Sequence, residues 1–103
     1  MKKNGRLSDS PLDLNCKLSI PEAVLFRKLD TESVLLNLDN EMYYGLDEVG
    51  TTMLATLESA ESIDIAYRHL LTQYEVDSDQ LLTDLTELVG NLLEHQLVSI
   101  SKI

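Results

Sequence analysis

The chain has 103 residues, 44% of them apolar and 25% charged, so it can fill one hydrophobic core but not two. Its 18 acidic and 8 basic residues give a net charge of −10, which repels phosphate backbones and excludes a general nucleic-acid binder. Cys16 is the single cysteine, which excludes an internal disulfide and a CxxC metal site.

The N-terminal residues 1–15 are polar and show no periodic apolar pattern, which predicts a flexible tail. Residues 16–103 are predicted to form the folded domain.

The basic start is not followed by an apolar run of about 7 residues, and no segment approaches the ~20 apolar residues that span a bilayer. We therefore expect a cytoplasmic protein without a membrane partner.

Three β-rich runs joined by short polar turns follow, and they predict an antiparallel meander. The predicted strands are Val24–Leu29, Val34–Leu38 and Met42–Leu46. Leu18 and Ile20 indicate one more short extended piece before them. Because Met42–Leu46 ends the meander, we expect at least one of its sides to be an open edge.

Three helices are predicted after the strands, at Asp47–Leu57, Ile63–Tyr74 and Ser78–His95, because apolar residues recur there at helical spacing. Asp77 and Gln80 form the capping-box pattern that begins the third helix. This order of elements predicts an α+β fold, that of a winged helix-turn-helix with a three-stranded antiparallel sheet before three helices.

Two residues near the start of the first helix are informative. Asp47 is expected to be its N-cap, because a carboxylate there accepts a hydrogen bond from an unpaired backbone N–H. Gly50 destabilises a helix by about 1 kcal/mol relative to alanine. It is either a tolerated defect or a place where a neighbouring group approaches the backbone closely, and we favour the close approach.

The third helix carries the widest apolar face. At 100° per residue its apolar side chains cover an arc of ~140°, and they are Leu81, Leu82, Leu85, Leu88, Val89, Leu92 and Leu93. A helix that crosses the core and touches two neighbours explains such a face. A helix with one edge along an open ligand groove explains it as well, and the sequence leaves both interpretations open.

No constellation of catalytic residues is visible in the sequence. His69 and His95 stand far apart without a ligand pattern, and Cys16 has no sequence neighbour that would lower its pKa. Phosphate-binding loops and the HExxH and GxSxG motifs are absent. We therefore predict a protein that is not an enzyme and that uses no metal and no cofactor.

The segment Leu36–Leu57 carries the most specific pattern of the chain: a strand, a polar turn, an aromatic strand and a helix. It resembles the PqqD-like superfamily, the recognition elements of ribosomally made and modified peptides. The matching residues are Tyr43, Tyr44, Leu46, Asp47 and Gly50, with Met53 and Leu54 where the family commonly has Ile-Trp. The resemblance extends over Val24–Ile100, although Gln96 replaces the usual glycine before the closing Leu-Val.

The resemblance implies a non-catalytic protein that binds the leader of a precursor peptide, most similar to the stand-alone version from lasso-peptide biosynthesis. In that family the leader adds as a strand to the third strand and packs against the third helix. The implied protein partners are a leader peptidase and a cyclase. The residues expected to bind the leader are Met42, Tyr43, Tyr44, Gly45, Leu46, Leu81, Asp84, Leu85 and Leu88.

One detail of this interpretation stays open at the level of sequence. Side chains alternate along a strand, so either Tyr43 or Tyr44 faces the core, and the sequence does not say which. Asp84 is expected to pair with a basic or amide group of the leader.

The sequence also has features in common with three other classes of protein. One is an interaction domain of another modified-peptide pathway; the quinone-cofactor carrier resembles the chain less, because its Leu-Tyr-Pro-Glu strand is missing. A DNA-binding winged helix needs a basic recognition helix, whereas Ser78–His95 contains four acidic residues and no Lys or Arg. Asp77-Ser78 is similar to the attachment site of acyl carrier proteins, but Asp79 follows where Leu or Met is usual.

Overall fold

A computed structural model describes residues 12–103, which form a two-stranded sheet, a three-stranded sheet and three helices. The strands are β1 (Cys16–Ser19), β2 (Val24–Leu29), β3 (Glu32–Asn37), β4 (Tyr43–Leu46) and β5 (Ser99–Lys102). The helices are α1 (Glu48–Ser59), α2 (Ile63–Gln73) and α3 (Ser78–Glu94). The predicted α+β fold, with a three-stranded antiparallel sheet before three helices, is confirmed.

The three-stranded sheet has the order β2-β3-β4 and is antiparallel throughout. Leu35 lies opposite Tyr44, and Leu36 lies opposite Tyr43. Directly opposite residues share a face of the sheet. Leu35 is fully buried and Tyr44 packs against the core, whereas Tyr43 is 70% exposed. The structure thus answers the question left open by the sequence, because Tyr44 is the tyrosine that faces inward.

A second sheet joins the two ends of the domain. β1 and β5 pair antiparallel, with Cys16 opposite Lys102 and Leu18 opposite Ile100. The sequence indicates extended structure in both places but does not predict that the two segments pair. The pair places the fully buried Leu18 in the core next to the helices.

Residues 12–15 also belong to the folded domain. Leu12 and Leu14 pack against the core, and the backbone N–H of Asp64 donates to the carbonyl of Leu14 at 3.0 Å. The predicted tail, residues 1–15, is therefore wrong for these four residues, because apolar contacts and this hydrogen bond hold them against the first turn of α2. The rest of that prediction concerns residues 1–11, which lie outside the described part of the chain.

The helix starts agree with the caps predicted from sequence. Asp47 Oδ1 accepts a hydrogen bond from the N–H of Gly50 at 2.8 Å, and Asp77 Oδ1 accepts one from the N–H of Gln80 at 2.7 Å. A Cβ built on Gly50 would lie 3.2 Å from Leu46 Cδ2. This confirms the prediction of a close neighbour and ties the start of α1 to the end of β4.

Candidate functional site

One edge of the three-stranded sheet is open. Within residues 12–103, β4 pairs with β3 on one side and with no strand on the other. An unpaired edge presents backbone N–H and C=O groups that can bind another extended chain. Gly45 is exposed at this edge, and no atom lies within 4 Å of a Cβ built on it. Another backbone can therefore approach β4 closely at this residue.

Helix α3 lies beside β4. The side-chain amide of Asn91 donates to the hydroxyl oxygen of Tyr44 at 3.2 Å, and the rings of Tyr44 and His95 meet edge to face with centroids 5.1 Å apart. At 100° per residue, Asp84, Leu88, Asn91 and His95 fall on one side of the helix. We call these four residues the α3 stripe. We call the surface between the stripe and the open edge of β4 the groove.

The turn before β4 is fixed to the end of α3. Asn37 is buried, and its side-chain oxygen accepts from the backbone N–H groups of Asp39 and Asn40, at 2.8 and 3.3 Å. Its amide nitrogen donates to the carbonyl of Gln96 at 2.7 Å. Asn40 Nδ2 donates to Gln96 Oε1 at 2.9 Å. These bonds hold β4 and α3 together at the end of the groove near Gln96.

Gln96 ends α3 in a left-handed conformation, with φ of 60°. The N–H of Leu97 donates to the carbonyl of Leu92, and the N–H of Gln96 donates to the carbonyl of Leu93, which is the Schellman pattern. That pattern usually has glycine at this position. Asn37 bonds to the backbone carbonyl of Gln96, which a glycine would also provide. Asn40 bonds to the side chain of Gln96, which a glycine lacks.

Burial divides the residues that the sequence predicts to bind a leader. Tyr43 and Gly45 are exposed and Met42 is 40% exposed, while Tyr44, Asp84 and Leu88 are half-buried. The remaining three are core residues with little or no exposed surface: Leu46 (7%), Leu81 (1%) and Leu85 (0%). Contact with a peptide stays a prediction for the whole set. The side chains of these three leucines are buried, so they can support the groove but do not line its surface.

Two groove residues, Asn91 and His95, are missing from the residues predicted by sequence. The apolar periodicity of α3 identifies the leucines at the centre of its buried face. Polar residues at the edge of that face are not part of an apolar repeat, so the pattern does not predict them. Their spacing of three and seven residues from Leu88 is the one available indication, because residues so spaced lie on one side of a helix.

The charge near the groove is acidic. Asp84 Oδ1 accepts a hydrogen bond from the side-chain amide of Gln80 at 2.9 Å, and α3 contains three further carboxylates and no basic residue. Asp84 keeps its second carboxylate oxygen for another donor. The arrangement can therefore bind a basic or amide group at this end of the stripe.

Cys16 does not form a catalytic site in the described residues. The thiol is buried on β1, and this burial together with the nearby negative charge of Asp13 raises its pKa. A thiol with a raised pKa stays protonated at neutral pH and is a poor nucleophile. Among residues 12–103, no cluster of His, Cys, Asp and Glu is arranged to hold a metal ion. Over the same residues, no helix has the length and apolar character needed to cross a membrane.

Comparison with known proteins places this architecture in a family. The family model described as coenzyme PQQ synthesis protein D (PqqD) matches residues 32–98. The solved structure of TbiB1 in complex with the TbiA(beta) leader peptide is 30% identical, with a TM-score of 0.72 over 79% of this chain and 94% of that chain.

Lasso peptide synthetase B1 complexed with the leader peptide has the same fold, with a TM-score of 0.71, 20% identity, and coverage of 81% of this chain and 98% of that chain. Comparison with curated proteins gives no match. The family match covers β3 to the end of α3, the part of the fold that builds the groove, and the TbiB1 match extends beyond it. The chain belongs to the PqqD family.

Proposed function

We propose that this protein binds the leader segment of a ribosomally made precursor peptide. The observation that carries the proposal is the structure of TbiB1, which is 30% identical to this chain and was solved in complex with a leader peptide. Identity at this level over 94% of that chain supports a shared mode of binding, and the open groove between β4 and α3 offers a place for it.

The leader binds as an additional antiparallel strand along Met42–Leu46. Backbone hydrogen bonds supply affinity that is independent of leader sequence, while side chains that point toward α3 supply specificity. Tyr43 projects from the outer face of the sheet and is 70% exposed, so it contacts the leader residues that point away from the helix.

The α3 side of the groove contributes an apolar and a charged contact. Leu88 is half-buried and borders the β4 side of the helix, so a leader side chain can cover its remaining surface. Asp84 binds a basic or amide group of the leader. Leu46, Leu81 and Leu85 support the groove from the core and keep β4 and α3 in place.

The leader belongs to a lasso-peptide precursor, and the protein presents it to a leader peptidase and a cyclase without catalysing a reaction itself. Support for the peptide class comes from the sequence resemblance of the YYGL strand to the stand-alone lasso version of the family. Holding the precursor near a partner's active site raises the effective concentration of the scissile bond without new chemistry.

The description of the family model, coenzyme PQQ synthesis protein D, suggests a second candidate, a role in the synthesis of that coenzyme. This pathway would also use the groove for a peptide, so binding alone does not separate the two. The sequences of peptides that bind the protein separate them, because each pathway has its own precursor.

Amide hydrogen exchange with a bound peptide tests the proposal. The TbiA(beta) leader peptide is the first probe, and peptides selected from a display library of random sequences of about 20 residues are the second. We expect protection to increase in Met42–Leu46, since a paired strand shields its backbone N–H groups. Failure of both probes to bind, or protection confined to elements other than β4 and α3, would refute the proposed mode of binding.

A further inference from the structure

Three polar side chains meet where β4 touches α3. Asn91 Nδ2 donates to the hydroxyl oxygen of Tyr44 at 3.2 Å, and the Tyr44 and His95 rings lie edge to face at 5.1 Å. His95 Nδ1 lies 2.8 Å from the backbone carbonyl oxygen of Asn91. We call Tyr44, Asn91 and His95 the polar cluster.

The tautomer of the neutral His95 ring follows from its hydrogen-bond partner. A carbonyl oxygen only accepts hydrogen bonds, so Nδ1 must carry the proton in the bond to Asn91. In the neutral ring Nε2 is then an acceptor, and it points away from that bond.

The polar cluster has hydrogen-bonding capacity that the described residues do not use. The Tyr44 hydroxyl accepts from Asn91 and still has its own hydrogen to donate. Asn91 keeps its side-chain oxygen and a second amide hydrogen, and within residues 12–103 neither is bonded to another group. Asn91 is exposed and the other two residues are half-buried, so the cluster is accessible from the groove.

A strand bound to β4 would place one side chain against this cluster. Residues directly opposite each other in an antiparallel pair share a face, with Cβ atoms about 4.5–5.5 Å apart. Tyr44 points toward α3, so the residue paired with it points the same way and lies beside Asn91 and His95. Its neighbours in the bound strand point to the other face.

We infer that the polar cluster selects the leader residue paired with Tyr44, and that it favours a neutral side chain with a hydroxyl or amide group. This inference rests on the proposed function. A hydroxyl or amide matches the mixture of donors and acceptors in the cluster. An aliphatic side chain would bury these groups without partners, and a carboxylate would meet a protein of net charge −10.

Coupling measurements between protein and peptide test the inference. The probe is a peptide that binds the wild-type protein and increases protection in β4. Each of its residues is replaced in turn by alanine, and Kd is measured with the wild type and with Tyr44→Phe, Asn91→Ala and Gln73→Ala. Gln73→Ala is the matched control, because it removes an exposed amide from α2.

We expect Tyr44→Phe and Asn91→Ala to weaken binding about three- to tenfold, the effect of one neutral hydrogen bond. When the peptide residue paired with Tyr44 is alanine, the two protein substitutions should cause no further loss of affinity. At every other peptide position, the effects of the protein and peptide substitutions should be additive. Gln73→Ala should show no coupling. Tyr44→Phe keeps the ring against His95, and its unfolding midpoint reports whether the domain remains intact.

Two negative results have different meanings. Additive effects at every peptide residue, with protection of β4 retained, would overturn selection by the polar cluster and leave the proposed function standing. If every peptide that binds the wild-type protein leaves β4 unprotected, so that no such probe exists, strand addition is refuted and the inference with it.

Discussion

Replacement of Gly45 by proline tests strand addition to β4 directly. The N–H of Asn37 donates to the carbonyl of Met42 at 2.8 Å, and hydrogen-bonded pairs alternate with non-bonded pairs in an antiparallel ladder. Gly45, opposite Val34, therefore directs its N–H away from β3 toward the open edge. Proline removes this N–H and leaves the bonds to β3 in place. A Cβ at Gly45 meets no atom within 4 Å, and the φ of this glycine is not positive, so a side chain fits.

The expected loss of affinity follows from the hydrogen bond that proline prevents. A bound leader would bury a carbonyl oxygen without a donor, which costs about 1–3 kcal/mol. At 1.4 kcal/mol per factor of ten, Kd should rise about 5- to 150-fold. The free protein loses no internal hydrogen bond, and edge strands accept proline where the N–H faces solvent. Its unfolding midpoint should therefore change by less than about 5 °C.

Isothermal titration with a peptide that protects β4 measures this loss. Gly45→Ala is the control, because it adds a methyl group and keeps the N–H; its Kd should stay within about twofold of the wild type. Equal affinity of the proline variant and the wild type, at an unchanged unfolding midpoint, would show that the leader does not use the Gly45 N–H and would refute strand addition at this residue.

Four further predictions concern single residues. Leu85→Ala removes a fully buried side chain and should cost about 2–5 kcal/mol of stability. Leu88→Ala truncates a half-buried side chain, so it should cost less stability than Leu85→Ala and should weaken peptide binding; equal effects of the two variants in thermal unfolding and in titration would contradict this division. For Asp84→Asn, we expect weaker binding of basic peptides at low salt and little change at high salt, and unchanged affinity at both would exclude charge pairing. Gln96→Gly should raise stability by up to about 1 kcal/mol, because it relieves a left-handed backbone; a lower unfolding midpoint would mean that the side-chain contacts of Gln96 outweigh the strain. Burial raises the pKa of Cys16, so alkylation of the folded protein by iodoacetamide should be slow at pH 8 and faster as the pH rises. In urea, where the thiol is exposed, alkylation should be fast at each of these pH values. Rapid alkylation of the folded protein would contradict a buried thiol.

Local features of the fold could be predicted from sequence because their causes are local. Asp47 and Asp77 cap helices through bonds to backbone groups three residues away, and the apolar repeat of α3 arises from the geometry of one helix. The order of strands and helices and the open side of β4 follow from elements joined by short turns. The resemblance to the family likewise depends on one continuous segment, in which Tyr43, Tyr44, Leu46, Asp47 and Gly50 match.

The tertiary structure decided which elements meet, and this determines the candidate site. β1 pairs with β5 from the other end of the domain, a contact to which no local pattern points. Tyr44 faces inward and Tyr43 outward because of the register with β3. Periodicity establishes which side chains share a helix face, but the neighbouring element decides which edge of that face stays open. α3 packs against α2, and Leu81 and Leu85 lie in the core. Tyr44 of β4 meets the other edge of the face at Asn91 and His95, and Asp84 and Leu88 share that edge.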